Sequence, residues 1–101
     1  MKPEISKYIS ICFKPVDIKT ANISMQTIYD LQNIPHILGI NFEFDYSREN
    51  KMFEIYADDS IDYSRHNKDL NKESIERIKA KVLEVFKDLE VEFQIETYGI
   101  N

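Results

Sequence analysis

The chain is poor in the residues that most often mark chemistry. Cys12 is the only cysteine among 101 residues, so no intrachain disulfide can form and a structural zinc site would lack most of its usual thiolate ligands. As an alternating-strand residue, Cys12 reads as a small packing group. Gly39 and Gly99 are the only glycines, which excludes a glycine-rich loop wrapped around phosphate. Pro3, Pro15 and Pro35 are the only prolines, and no low-complexity tract separates one half of the chain from the other, so residues 1–101 read as one domain without a linker. Basic charge is also short. Thirteen Lys and Arg against eighteen Asp and Glu leave a net charge of -5, a balance that disfavours direct nucleic-acid binding, which needs a basic footprint. Apolar runs are too short for a signal core or a membrane span, and Met1 to Lys7 is charged, so the expectation is a cytoplasmic protein with no membrane association.

What is present is periodicity. Ile9, Ile11 and Phe13 alternate with polar neighbours in a first strand. The even positions from Leu38 to Tyr46 are apolar and predict a second strand across that whole segment. Phe53, Ile55 and Ala57 define a third strand, and Val91, Phe93 and Ile95 a fourth. Between the first two, Ile18, Ala21, Met25, Ile28 and Leu31 recur at helical spacing, and Pro35 is expected to stop that helix near Asn33. A second helix carries Ile75, Ile78, Val82, Val85, Phe86 and Leu89 on one stripe, with Asn71 as its N-cap and a Glu73/Arg77 pair on its outer side. The order strand, helix, strand, strand, helix, strand predicts an α+β, ferredoxin-like βαββαβ domain: a four-stranded antiparallel sheet in order 4-1-3-2, with two helices on one face. That fold hosts many unrelated functions and assigns none.

The other face of such a sheet would be open. It would present Tyr8, Ser10, Cys12 and Lys14 from strand one, Asn41, Glu43 and Asp45 from strand two, and Met52, Glu54 and Tyr56 from strand three. Strand four would add Glu92, Gln94, Glu96 and Tyr98. Carboxylates dominate, and tyrosines stand among them, a combination suited to a protein partner with a basic surface. The expected partner-binding residues are Tyr8, Glu43, Asp45, Glu54, Tyr56, Glu92, Glu96 and Tyr98. RNA-binding sheets of this topology place aromatics here too, but with basic neighbours; Glu54 beside Tyr56 would repel phosphate.

Two seven-residue segments nearly repeat. Asp45-Tyr46-Ser47-Arg48-Glu49-Asn50-Lys51 and Asp62-Tyr63-Ser64-Arg65-His66-Asn67-Lys68 differ at one letter. The first falls in the hairpin between strands two and three, where Asn50 suits a left-handed turn position. The second falls in the long connection before the last helix. Asp, Ser and Asn explain much of the agreement as turn chemistry, while Asp58, Asp62, Tyr63, Arg65 and His66 form a candidate recognition loop. Asp58, Ser60, Asp62 and Ser64 alternate like calcium ligands, with Asp69 eleven positions after Asp58, but Tyr63 occupies the position where the helix–loop–helix calcium site needs glycine, and Asp69 is shorter than the usual bidentate glutamate. No cofactor or metal is therefore expected.

Three functions compete on this basis. The leading expectation is a small acidic module that inhibits or neutralises a toxin or nucleic-acid enzyme by covering its basic patch. The second is a homodimeric or larger regulatory domain that binds a small ligand between subunits. The third is a metal-dependent hydrolase using His36, His66 and Asp58, disfavoured by the lack of any nucleophile motif.

Overall fold

A computed structural model of the chain describes residues 7–17, 19, 23–59, 68–87 and 89–100. The strands are β1 (Tyr8–Pro15), β2 (Glu43–Ser47), β3 (Met52–Asp58) and β4 (Val91–Tyr98); the helices are α1 (Met25–Gln32), α2 (Ile34–Leu38) and α3 (Lys72–Val85). All strand pairs are antiparallel and the sheet runs β2-β3-β1-β4, the expected order read from the opposite edge. The architecture is α+β.

Alternation decides which side of the sheet is covered. Ile9, Ile11, Phe13, Phe53 and Ile55 are fully buried, and their neighbours on each strand are more exposed. An aromatic row crosses every strand in register, Tyr46–Phe53–Phe13–Phe93. Its ring centroids are separated by 4.4, 5.3 and 6.0 Å, within the range where stacked and tilted rings attract beyond simple burial. Phe86 at the end of α3 lies 6.0 Å from Phe53, and Leu31, Ile34, Ile78 and Val82 complete the same cluster from the helices. Coverage is strongest over β1 and β3. At the edges Phe44, Tyr46, Phe93 and Ile95 remain only partly buried.

The helix ends follow from local chemistry. Ser24 caps α1 by accepting from the Thr27 N–H at 3.1 Å, and Asn71 caps α3 by accepting from the Ser74 N–H at 2.9 Å, as its side-chain type predicts. Of the expected first-helix stripe, Leu31 is buried and Ile28 partly so, while Met25 is exposed; Ile18 and Ala21 lie outside the described residues.

The expectation about the start of the second strand needs correction. The segment from Leu38 is not strand: Ile34–Leu38 forms α2, and β2 begins only at Glu43. α1 does stop at its C-cap Asn33, as expected ahead of Pro35, and Pro35 itself sits in the first turn of α2, where its missing N–H has no helical acceptor. Gly39 then stops α2 at φ 68°. The Gly39 N–H donates to the His36 carbonyl at 3.1 Å and the Ile40 N–H to the Pro35 carbonyl at 3.0 Å, the paired bonds of a Schellman terminus.

The expected Glu73/Arg77 pair is replaced by a tertiary bond. Arg77 donates to the Leu38 carbonyl at 3.1 Å, tying α3 to the end of α2. In the hairpin, the left-handed position falls on Lys51 (φ 51°), not on Asn50. Ser47 pairs with Met52, so residues 48–51 make a four-residue loop closed by a strained lysine.

Candidate functional site

Register, together with alternation, fixes the open face row by row. Glu43, Tyr56, Ser10 and Glu96 form one row; Asp45, Glu54, Cys12 and Gln94 the next. Tyr8 stands between Asp58 and Tyr98, and Lys14 opposes Glu92. The expected partner-binding residues Tyr8, Glu43, Asp45, Glu54, Tyr56, Glu92, Glu96 and Tyr98 therefore share one surface, joined by Asp58. Asn41 does not belong to it: it precedes β2, and its N–H donates to Asp69 Oδ2 at 2.9 Å.

The face divides into two halves with different chemistry. Across β1 and β4, Tyr8 Oη donates to Glu96 Oε2 at 3.1 Å. That bond, with weaker contributions from desolvation and the Glu96 charge, raises the Tyr8 phenol above its ordinary value. Across β2 and β3, Asp45 lies directly opposite Glu54, and Glu43 directly opposite Tyr56. Like charges facing each other across an antiparallel pair are destabilising. Glu54 is partly compensated, since Ser10 Oγ donates to its Oε2 at 2.5 Å, and Asp45 Oδ1 accepts from the Tyr46 N–H. The Lys81–Glu84 salt bridge, at 3.1 Å, lies on α3 and not on this face. Tyr56, 37% exposed, stands amid the carboxylates of the face. Desolvation, followed by Glu43, Asp45, Glu54 and Asp58, raises its phenol as well.

The depression described on this face is small. It measures about 80 Å³ and is lined by Cys12, Lys14, Met52, Glu92 and Gln94, far below the several hundred Å³ typical of small-ligand pockets. A larger cleft of about 360 Å³ lies elsewhere, lined by Pro35, His36, Gly39, Ile40, Asn41, Lys68 and Asp69.

That cleft bears on the hydrolase expectation. It holds His36, but Asp58 is on the sheet's open face beside Tyr8 and does not line it. His66 lies outside the described residues, as do Asp62, Tyr63 and Arg65 of the candidate recognition loop and all of the second repeat except Lys68. Asp69, the last of the calcium-type residues, already accepts from the Asn41 backbone. Asp59, one residue past the end of β3 and of opposite parity to Asp58, is 2% exposed. Its Oδ1 accepts from the Lys7 N–H at 3.2 Å, and its own N–H donates to the Lys7 carbonyl at 3.3 Å, pinning the entry to β1.

No family model matches the chain, and neither a curated protein nor a solved structure matches it. Among the described residues, no helix is long and apolar enough to cross a membrane.

Proposed function

We propose that this chain is a ferredoxin-like, cytoplasmic protein-binding module whose acidic open sheet face docks on a basic patch of another protein. An inhibitor or immunity-type protein that covers a toxin or a nucleic-acid enzyme has this physics, because carboxylates at strand spacing can occupy a groove built for phosphate. The observation that carries the reading is the Asp45–Glu54 opposition beside exposed Tyr56. A sheet selected for stability alone would place opposite charges there; a cationic partner would supply them in trans and gain affinity and encounter rate. Tyr56, Tyr8 and Tyr98 add rigid aromatic area with polar tips, the composition common at protein interfaces. The small depression on the face, about 80 Å³, suits a macromolecule better than a metabolite, and the sign of the face opposes nucleic acid.

The test compares wild type with Glu43→Lys/Asp45→Lys/Glu54→Lys as bait in native lysate at low and high salt. Wild type should retain a basic protein that elutes as salt rises, and the variant should lose it. Equal retention by both would remove the reading.

A further inference from the structure

β4 is the longer of the two edge strands of the sheet, and its sequence carries few of the devices that normally blunt an edge. Its register with β1 is unbroken from Tyr8↔Tyr98 to Pro15↔Val91, so no bulge twists it away. It contains neither proline nor lysine, and among the described residues it pairs with β1 alone. Natural sheets usually protect such an edge. Here the protection is charge of one sign: Glu92 and Glu96 on the open face. On the other face, Val91, Phe93 and Ile95 are only partly buried, with Lys79 Nζ lying 5.6 Å from the Phe93 ring centroid. A regular ladder with one acidic row and one unfinished apolar row has a definite complement.

We infer that β4 accepts an extended segment of the basic partner as a fifth strand. This deepens the proposed function and rests on it. The pleat specifies the segment. Residues of an added strand opposite Glu96, Gln94 and Glu92 share the open face, while those opposite Ile95, Phe93 and Val91 share the apolar one. The segment is therefore cation, apolar, polar, apolar, cation, apolar, with the cations four residues apart. Backbone hydrogen bonds supply affinity, and the alternating rows supply specificity. A second copy of this chain is a poor occupant: the antiparallel pairing centred on Gln94 would set Glu92 against Glu96 twice, which repels.

The probe is a synthetic peptide containing Arg-Val-Ser-Val-Arg-Val, added to the isotope-labelled full chain. A control of the same composition places its cations three apart, on opposite faces of a strand. A second control carries N-methyl groups at alternate backbone nitrogens. The expected result is that alternate β4 amides exchange at least about tenfold more slowly with the first peptide only, because they become hydrogen-bonded. Glu92→Lys/Glu96→Lys should weaken binding by roughly tenfold, as two attractive cross-strand contacts become repulsive. Amide dispersion of the variant confirms that it remains folded.

Equal binding of all three peptides, with signals moving at Glu43, Asp45, Glu54 and Tyr56 but no slowed β4 amides, would overturn the edge site and leave the acidic-face reading standing. Absence of binding by any of the three would overturn the edge site and count against both.

Discussion

The two sides of one sheet, built from alternate residues of the same strands, obey opposite rules. On the covered side every neighbour improves its neighbour: Tyr46, Phe53, Phe13 and Phe93 pack ring against ring in a row, and Phe86 packs on Phe53. On the open side, Asp45 faces Glu54 and Tyr56 stands among carboxylates. The covered side is arranged for folding, whereas the open side sets like charges against each other at some cost in stability, the arrangement on which the proposed docking rests. Substitutions should therefore separate cleanly by side even when they are only a few residues apart on one strand.

The largest contrast lies within β3. Phe53→Ala removes the ring at the centre of the aromatic row and should cost about 3–5 kcal/mol in chemical denaturation. Tyr56→Ala, three residues on and facing outward, should change stability by less than about 1 kcal/mol while weakening partner binding. Comparable losses from the two would break the distinction. At the hairpin, where the faces meet, Lys51→Gly removes the penalty of a left-handed lysine, offset in part by glycine's greater freedom when unfolded. A net gain of about 0.5–1 kcal/mol is expected, with binding unchanged.

A smaller effect has an unusual sign. Asp45→Asn should stabilise the fold by roughly 0.2–1 kcal/mol, because it relieves a like-charge pair, and should weaken partner binding at the same time. A destabilised Asp45→Asn would mean that the pair is not repulsive in water. The smallest signal is alkaline. Both Tyr8 and Tyr56 hold their protons above the ordinary value of 10.0. As pH climbs past that value, the unfolded chain releases these protons first, so the stability they contribute is intact below pH 10 and is lost as pH passes through the raised folded values. Phenolate absorbance should show late-titrating tyrosines, and Glu96→Gln should return Tyr8 toward ordinary behaviour.

Much of this arrangement could be read from residue order. Period-two alternation identified β1, β3 and β4 and the parity of each, so the residues sharing the open face were legible before any coordinates. The stripe from Ile75 to Phe86 and the Asn71 cap defined α3 just as directly. The segment from Leu38 to Phe42 misled because its even positions are apolar, a pattern that a short helix and its exit can also produce. The cue that distinguishes them was present: Pro35 just inside a start and Gly39 just past an end bracket one helical turn. Register was less accessible. The direct opposition of Asp45 and Glu54 depends on a four-residue loop at 48–51, and a loop one residue different would bring other pairs together. Asp58 and Asp59 carry the same side chain, yet one lies on the open face and the other is buried against Lys7. Only strand parity carried through to the end of β3 separates them.

The most direct measurement of uncompensated charge on the open face is the salt dependence of stability, for wild type and for Glu43→Gln/Asp45→Asn/Glu54→Gln. Raising ionic strength from about 0.01 M to about 1 M shortens the screening length from roughly 30 Å to roughly 3 Å. Wild type should gain stability along that series, while the neutralised variant should start higher and respond much less. A variant that begins below wild type and shares its salt slope would contradict the account.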